Sequence, residues 1–168
     1  CVADYIETTY RKRQSSLTQV VDAIYQMVAS KKGNYLVFFP SYQYLDEVAA
    51  LFQTEHPTIT QLIQDTKMTE EEREAFLARF TKNPSDSLVG FCVLGGIFSE
   101  GIDLKGSRLI GTAVVGVGLP QMNHEQELIK EYFDETRHKG FEYAYQLPGM
   151  NKVLQAAGRV IRDAADQG

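Results

Sequence analysis

Two cysteines, Cys1 and Cys92, are all that this chain of 168 residues contains. They are too few for a disulfide framework or a four-thiolate metal site, so no metal site is expected. Cys92 sits inside an apolar run and reads as core. No apolar stretch reaches the ~18 residues of a membrane span. No charged-then-apolar leader is visible, so no signal peptide is expected. A chain that opens on Cys1 rather than Met is expected to be an excised fragment or a processed chain. A reducing, cytoplasmic setting is the corresponding expectation. There is no basic excess: Lys plus Arg is 17, Asp plus Glu is 22, and the net charge is -5. That balance argues against a polybasic binder but leaves room for a local basic groove. No Gly-x-x-x-x-Gly-Lys-Ser/Thr phosphate loop occurs. No apolar strand ends in an Asp-Glu-Ala-His-like box. Asp134-Glu-Thr-Arg-His138 imitates one but follows Glu131-Tyr-Phe133 in a polar helical stretch, and it reads as a solvated helix face. Gly111 to Gly118 imitates a dinucleotide loop at the wrong spacing.

What is present is ordinary in bulk. Hydrophobic residues make up 43% and charged residues 23%. The length suits one domain, residues 1–168, at roughly 150 residues per domain. Leu17, Val20, Val21, Ile24, Met27 and Val28 recur at helical spacing over 15–30, with Ser15 or Ser16 as cap. Tyr35-Leu-Val-Phe-Phe39 is a short continuous apolar run, suited to a strand covered on both faces. Leu45, Val48, Ala49 and Phe52 give a second helical face, ending near His56-Pro57. A β-rich piece spans 58–63, and Thr69 to Glu72 forms a capping box for a helix with Phe76, Leu77 and Phe80. Buried strands are expected at 87–94 and 108–117, and an exposed helix at 123–138. Pro148-Gly149 is expected to precede the last helix, with Met150, Val153, Leu154 and Ala157. Strands alternating with helices predict an α/β fold: three αβα layers around a mainly parallel sheet. In such sheets, ligands meet the loops at the carboxyl ends of the strands, here 40–42, 95–103 and 118–122.

Three clusters carry the chemistry. In Gln155-Ala-Ala-Gly158-Arg159-Val-Ile-Arg162, two guanidiniums three residues apart share one side of a helical turn. They suit the spread charge of a phosphoryl group in transfer, and Gly158 leaves room for backbone approach. The same spacing also fits a solvated helix end with arginines against the dipole. Gly95-Gly96-Ile-Phe-Ser99-Glu100-Gly101-Ile-Asp103 offers glycines for close approach, the Ser99 hydroxyl and two carboxylates. It reads equally as a tight turn. In Phe38-Phe39-Pro40-Ser41-Tyr42, Ser41 suits a phosphate at a helix N-terminus and Tyr42 a stacked base. The plainer reading is an N-cap serine and a half-buried tyrosine. Arg11-Lys12-Arg13 is the basic run; it suits a phosphate contact, and its plainer reading is a solvated segment.

Taken in order, FFPSY, GGIFSEGID and QAAGRVIR resemble motifs IV, V and VI of superfamily 2 helicases in their XPD/DinG form, found in DNA repair. The likeness spans at least 35–163 and implies a second RecA-like motor domain. By that resemblance Arg159 and Arg162 are the arginine fingers that reach the γ-phosphate on a partner motor domain. Gln155 and Gly158 belong to the same ATP-facing motif. Glu100, Gly101 and Asp103 fall where the family meets ATP and couples it to the strand. Ser99, Ser41 and Tyr42 fall at single-stranded DNA contacts, with 5′-to-3′ movement inherited from the family. The implied cofactor is ATP with Mg²⁺, bound mainly by a first motor domain. That domain is absent here, and it would also carry any iron–sulfur cluster. The isolated domain is therefore expected to be inactive. The implied partners are single-stranded DNA and the first motor domain, with no membrane.

Two other classes compete. A non-catalytic RecA-like docking or regulatory module would keep the fold and lose the arginines; both are present. A small-molecule enzyme on a Rossmann-like sheet would need a complete phosphate-binding turn after an early strand.

Overall fold

A computed structural model of the chain describes residues 3–9, 11–98, 102, 104–117, 119 and 123–158. Four strands among them, β1 (Asn34–Phe39), β2 (Thr60–Ile63), β3 (Leu88–Val93) and β4 (Gly111–Val114), form one parallel sheet in the order β2-β3-β1-β4. β1 and β3 are buried along their whole length, because each is covered on both faces.

The pleat sorts their side chains into two cores. Tyr35, Val37 and Phe39 of β1, with Val89, Phe91 and Val93 of β3, pack against α1 (Arg13–Ser30) and α2 (Tyr42–Glu55). Leu36 and Phe38, with Leu88, Cys92 and Leu94, pack against Phe76 and Phe80 at α3 (Glu70–Ala78), against Phe98 and Ile102, and against Ala156 of α5 (Leu147–Ala157). The result is the three-layer αβα arrangement that the alternation of strands and helices predicts. Gly90 of β3 lies on the second face. A Cβ there would come within 2.8 Å of Leu36 Cδ2 and of Phe80 Cζ, so glycine is what lets the two aromatic rings close over the sheet. At the amino end, the buried Asn34 amide donates to Thr81 O (2.8 Å) and Arg108 O (3.0 Å), tying two loops to β1.

α4 (His124–Arg137) is capped by Asn123 and buries no residue, as the polar pattern predicts. Its end folds back on the segment that follows. Phe133 stacks on Tyr143 at 4.2 Å, and the Tyr145 hydroxyl donates to Glu127 at 2.6 Å.

Four expectations are corrected. α1 begins at Arg13 rather than Ser15, and its N-cap Lys12 makes no side-chain cap. The Ser15 and Ser16 hydroxyls instead donate back to Lys12 O and Glu7 O, each at 2.7 Å. Arg13 is not solvated: it is 7% exposed, with its guanidinium 5.4 Å from the centre of the Tyr44 ring. A cation held over an aromatic face tolerates that burial. β4 covers only 111–114, because 106–108 turn as a 3₁₀ segment before it. The last helix does not wait for Pro148. Residues 142–146 form a π-helical stretch running straight into α5, with Leu147 N–H bonded to Glu142 O. A proline inside a regular helix clashes with the carbonyl four residues earlier; the wider turn accommodates it.

Candidate functional site at the carboxyl ends of the strands

Because every strand is parallel, all four carboxyl ends meet along one edge. Backbone bonds set them level: Leu94 N–H to Phe39 O, Val115 N–H to Phe38 O, and Gln64 N–H to Phe91 O, each 2.8–2.9 Å. The loops that begin at Pro40, Gln64, Leu94 and Val115 therefore stand side by side, about 4.8 Å apart.

Ser41 is the N-cap of α2, and its hydroxyl accepts from Tyr44 N–H at 3.4 Å. The plainer reading of Ser41 is thus realised, and the long bond leaves the hydroxyl at the helix mouth. Tyr42 opens the helix, half-buried, and its Oη accepts a hydrogen bond from Gln64 Nε2 at 2.9 Å. Burial pushes the Tyr42 phenol above its ordinary 10.0, while the bond from Gln64 pulls the other way. The phenol is a neutral hydroxyl at physiological pH.

Gln64 is the residue that sequence reasoning missed. It is 3% exposed at the end of β2, and its Oε1 accepts from Val93 N–H at 2.9 Å. One amide therefore spans the ends of β2 and β3 and the start of α2. A lone glutamine after a short strand leaves no periodic mark, so nothing in the sequence singles it out.

The glycine loop after β3 is tight. Gly95 has φ +75°, which favours glycine. A Cβ on Gly96 would lie 2.9 Å from Gln64 Nε2 and 3.1 Å from Val93 O. With Glu70, Arg73 and Ile97 these glycines line a shallow open cleft beside the start of α3. Arg73 pairs with Glu70 there at 2.5 Å.

α5 lies over the same loop: a Cβ on Gly95 would sit 3.4 Å from Lys152 Cε. Ala156 and Gly149 are the buried face of α5, which leaves Gln155 exposed near its end. Gly158 is the C-cap, exposed, with φ -65°. Its backbone does not require glycine, so its want of a side chain leaves the surface open. Leu147, Met150 and Leu154 form an apolar stripe on the outer side of α5, exposed by 49, 49 and 61%. Ser99, Glu100, Gly101, Asp103, Arg159 and Arg162 lie outside the described residues.

Other readings resolve. Cys92 is enclosed, and burial pushes its thiol well up, as suits a core residue. Asp134 sits on the exposed α4, where it bonds Lys130 and the Gly140 amide. Gly116, in the imitation of a dinucleotide loop, has φ +76° and packs on Thr8. Among the described residues, no three His, Cys, Asp or Glu side chains are grouped to hold a metal ion. None of their helices is long and apolar enough to cross a membrane.

The family model for the helicase C-terminal domain matches residues 24–168, most of the chain and all three clusters from FFPSY onward. The chain belongs to the helicase C-terminal domain family. Among curated relatives, the ATP-dependent DNA helicase CHL1 of Scheffersomyces stipitis is 30% identical over 165 residues, covering 86% of this chain and 19% of the relative. The regulator of telomere elongation helicase 1 homolog of Caenorhabditis elegans is 26% identical over 183 residues, covering 94% of the chain and 18% of the relative. The ATP-dependent DNA helicase XPD of Sulfolobus acidocaldarius is 22% identical, covering 96% and 28%. A solved structure of apo XPD superposes with a TM-score of 0.75 at 22% identity, over 96% of this chain and 32% of that one. Xpd4 of S. tokodaii gives 0.68 at 17%, over 96% and 30%. At those identities the superpositions establish the fold alone, a RecA-like αβα domain. The helicase C-terminal domain thus spans between about a fifth and a third of the length of these relatives.

Proposed function

We propose that this chain is the second motor domain of an ATP-dependent DNA helicase and supplies half of a shared ATP site. In this reading Arg159 and Arg162 reach the γ-phosphate of ATP·Mg²⁺ held by a first motor domain. Gln155 and Gly158 face the same nucleotide. Glu100, Gly101 and Asp103 couple it to the strand, which Ser41, Tyr42 and Ser99 contact. The 168 residues act as one unit, with a role in DNA repair or replication.

The observation that carries the reading is the packing of α5 over the loop after β3, at the edge where Ser41 and Tyr42 emerge. That packing brings the helix leading to Arg159 beside the loop leading to Glu100. The exposed stripe of Leu147, Met150 and Leu154 supports a partner domain, since an apolar face beside an ATP-facing motif gains by being covered. Guanidiniums act here by neutralising charge that develops on the transferred phosphoryl oxygens, and water attacks only once the two domains close.

In the two-domain protein, Arg162→Ala is expected to lower ATP turnover by about 10³–10⁵-fold while nucleotide still binds. Steady-state ATPase with a fluorescent-nucleotide titration reads both quantities. Unchanged turnover contradicts the assigned role.

A further inference from the structure

The Gln64 amide has a fixed orientation, and that orientation has a chemical consequence for Tyr42. Val93 N–H can only donate, so the Gln64 atom 2.9 Å from it is the oxygen. The nitrogen then faces Tyr42 and can only donate, so Tyr42 Oη is the acceptor at 2.9 Å. A phenol has one hydrogen, which lies near the ring plane on one side of the oxygen or the other. Gln64 holds one side, and the hydrogen takes the other. A phenol is protonated at neutral pH, and burial only pushes it further that way. The Tyr42 ring is only half-buried, at the mouth of α2 and beside the Ser41 hydroxyl.

We propose that Gln64 is a positioning residue for strand binding: by occupying the acceptor side of Tyr42 Oη it turns the phenolic hydrogen away from the sheet edge, as a donor to a phosphate oxygen of single-stranded DNA. Tyr42 then reads the backbone by its hydroxyl rather than a base by its ring face. Gly96 belongs to the same device. Any side chain there would press on the Gln64 amide, so the loop after β3 and the strand contact share one fixed group. This inference rests on the proposed function, in which the edge meets a single strand.

The test compares Tyr42→Phe, Gln64→Glu and the double variant in the full-length helicase, reading the single-stranded DNA concentration that half-maximally stimulates ATPase. Gln64→Glu keeps the shape and the bond from Val93 N–H. Once ionised, its second oxygen accepts only, so it pulls the phenolic hydrogen inward; because burial raises a carboxyl, half-saturation is read from about pH 7 to 9. Tyr42→Phe is expected to raise the half-saturating concentration about tenfold, the worth of a hydrogen bond to a charged group. Gln64→Glu is expected to match it, and the double variant to be no worse than either, since the two act through one bond. The change falls on half-saturation more than on maximal rate.

If the unmodified protein responds to DNA and Gln64→Glu leaves half-saturation unmoved across about pH 7 to 9, with Gln64→Met likewise silent, the positioning role is overturned while the helicase reading stands. An unmoved Tyr42→Phe overturns it equally. An unmodified protein whose ATPase ignores DNA overturns both. Should Gln64→Glu fail to fold, Gln64→Met replaces it. Freeing the hydroxyl to rotate is expected to raise half-saturation less than Tyr42→Phe does, and no rise at all overturns the role.

Discussion

At the scale of single residues, the clearest demand is for space. Gly90 lies in the middle of β3, where every strand residue is buried. A methyl group there meets Leu36, Phe80 and Phe76, all enclosed in the same core, at 2.8, 2.8 and 3.1 Å. Gly90→Ala is therefore expected to destabilise the domain by about 1–3 kcal/mol, the usual cost of overpacking. Urea unfolding measures it, and an unchanged midpoint contradicts the packing. Residues are also where sequence reasoning was weakest. Arg13 reads as part of a basic run, yet it is buried because Tyr44, thirty-one positions away, supplies an aromatic face. Nothing in the sequence singles out Gln64 or Asn34, yet each is buried with its amide spanning separate loops or strand ends. A polar group is buried only when distant backbone satisfies it, and no local pattern records a distant backbone.

At the scale of elements, local signals carried most of the answer. The capping box at Thr69 forms with both reciprocal bonds, 3.2 Å from Glu72 N–H and 2.7 Å from Thr69 N–H. The runs 35–39 and 87–94 become β1 and β3 because only a doubly covered strand tolerates unbroken apolar character. The ends were harder. The π-helical stretch before Pro148 reverses the usual meaning of a proline, since a wide turn absorbs what a regular helix cannot. The turn from α4 into that stretch carries an acid-sensitive contact. The Lys130 ammonium, then the Gly140 amide, hold the Asp134 carboxyl below its ordinary 3.8. A carboxyl lowered by folding stabilises the fold above its unfolded value, and that contribution is lost as pH falls through the folded one. The Gly140 amide resonance is expected to follow this titration with a midpoint below 3.8. A midpoint at or above that value contradicts the contact. Asp134→Asn keeps an acceptor for Gly140 and is expected to abolish the titration.

At the scale of the whole molecule, the fold class was legible because helices and strands alternate, and the parallel sheet then places every strand's carboxyl end on one edge. The family was legible because three short clusters occur in a fixed order along the chain. The roles of the individual residues were not legible from spacing alone. Paired arginines at the end of a helix serve a dipole as well as a phosphate, and a serine after a strand caps a helix whether or not a ligand follows. Ser41 does cap α2. The missing phosphate loop matters most at this scale, since it is the ground on which we propose that the domain shares its ATP site with a first motor domain.

The most direct test of that proposal is DNA-stimulated ATP hydrolysis by this domain alone and by the domain joined to the proposed first motor domain. The account predicts no turnover alone and DNA-dependent turnover when joined. Turnover by the domain alone, or none in either, contradicts it.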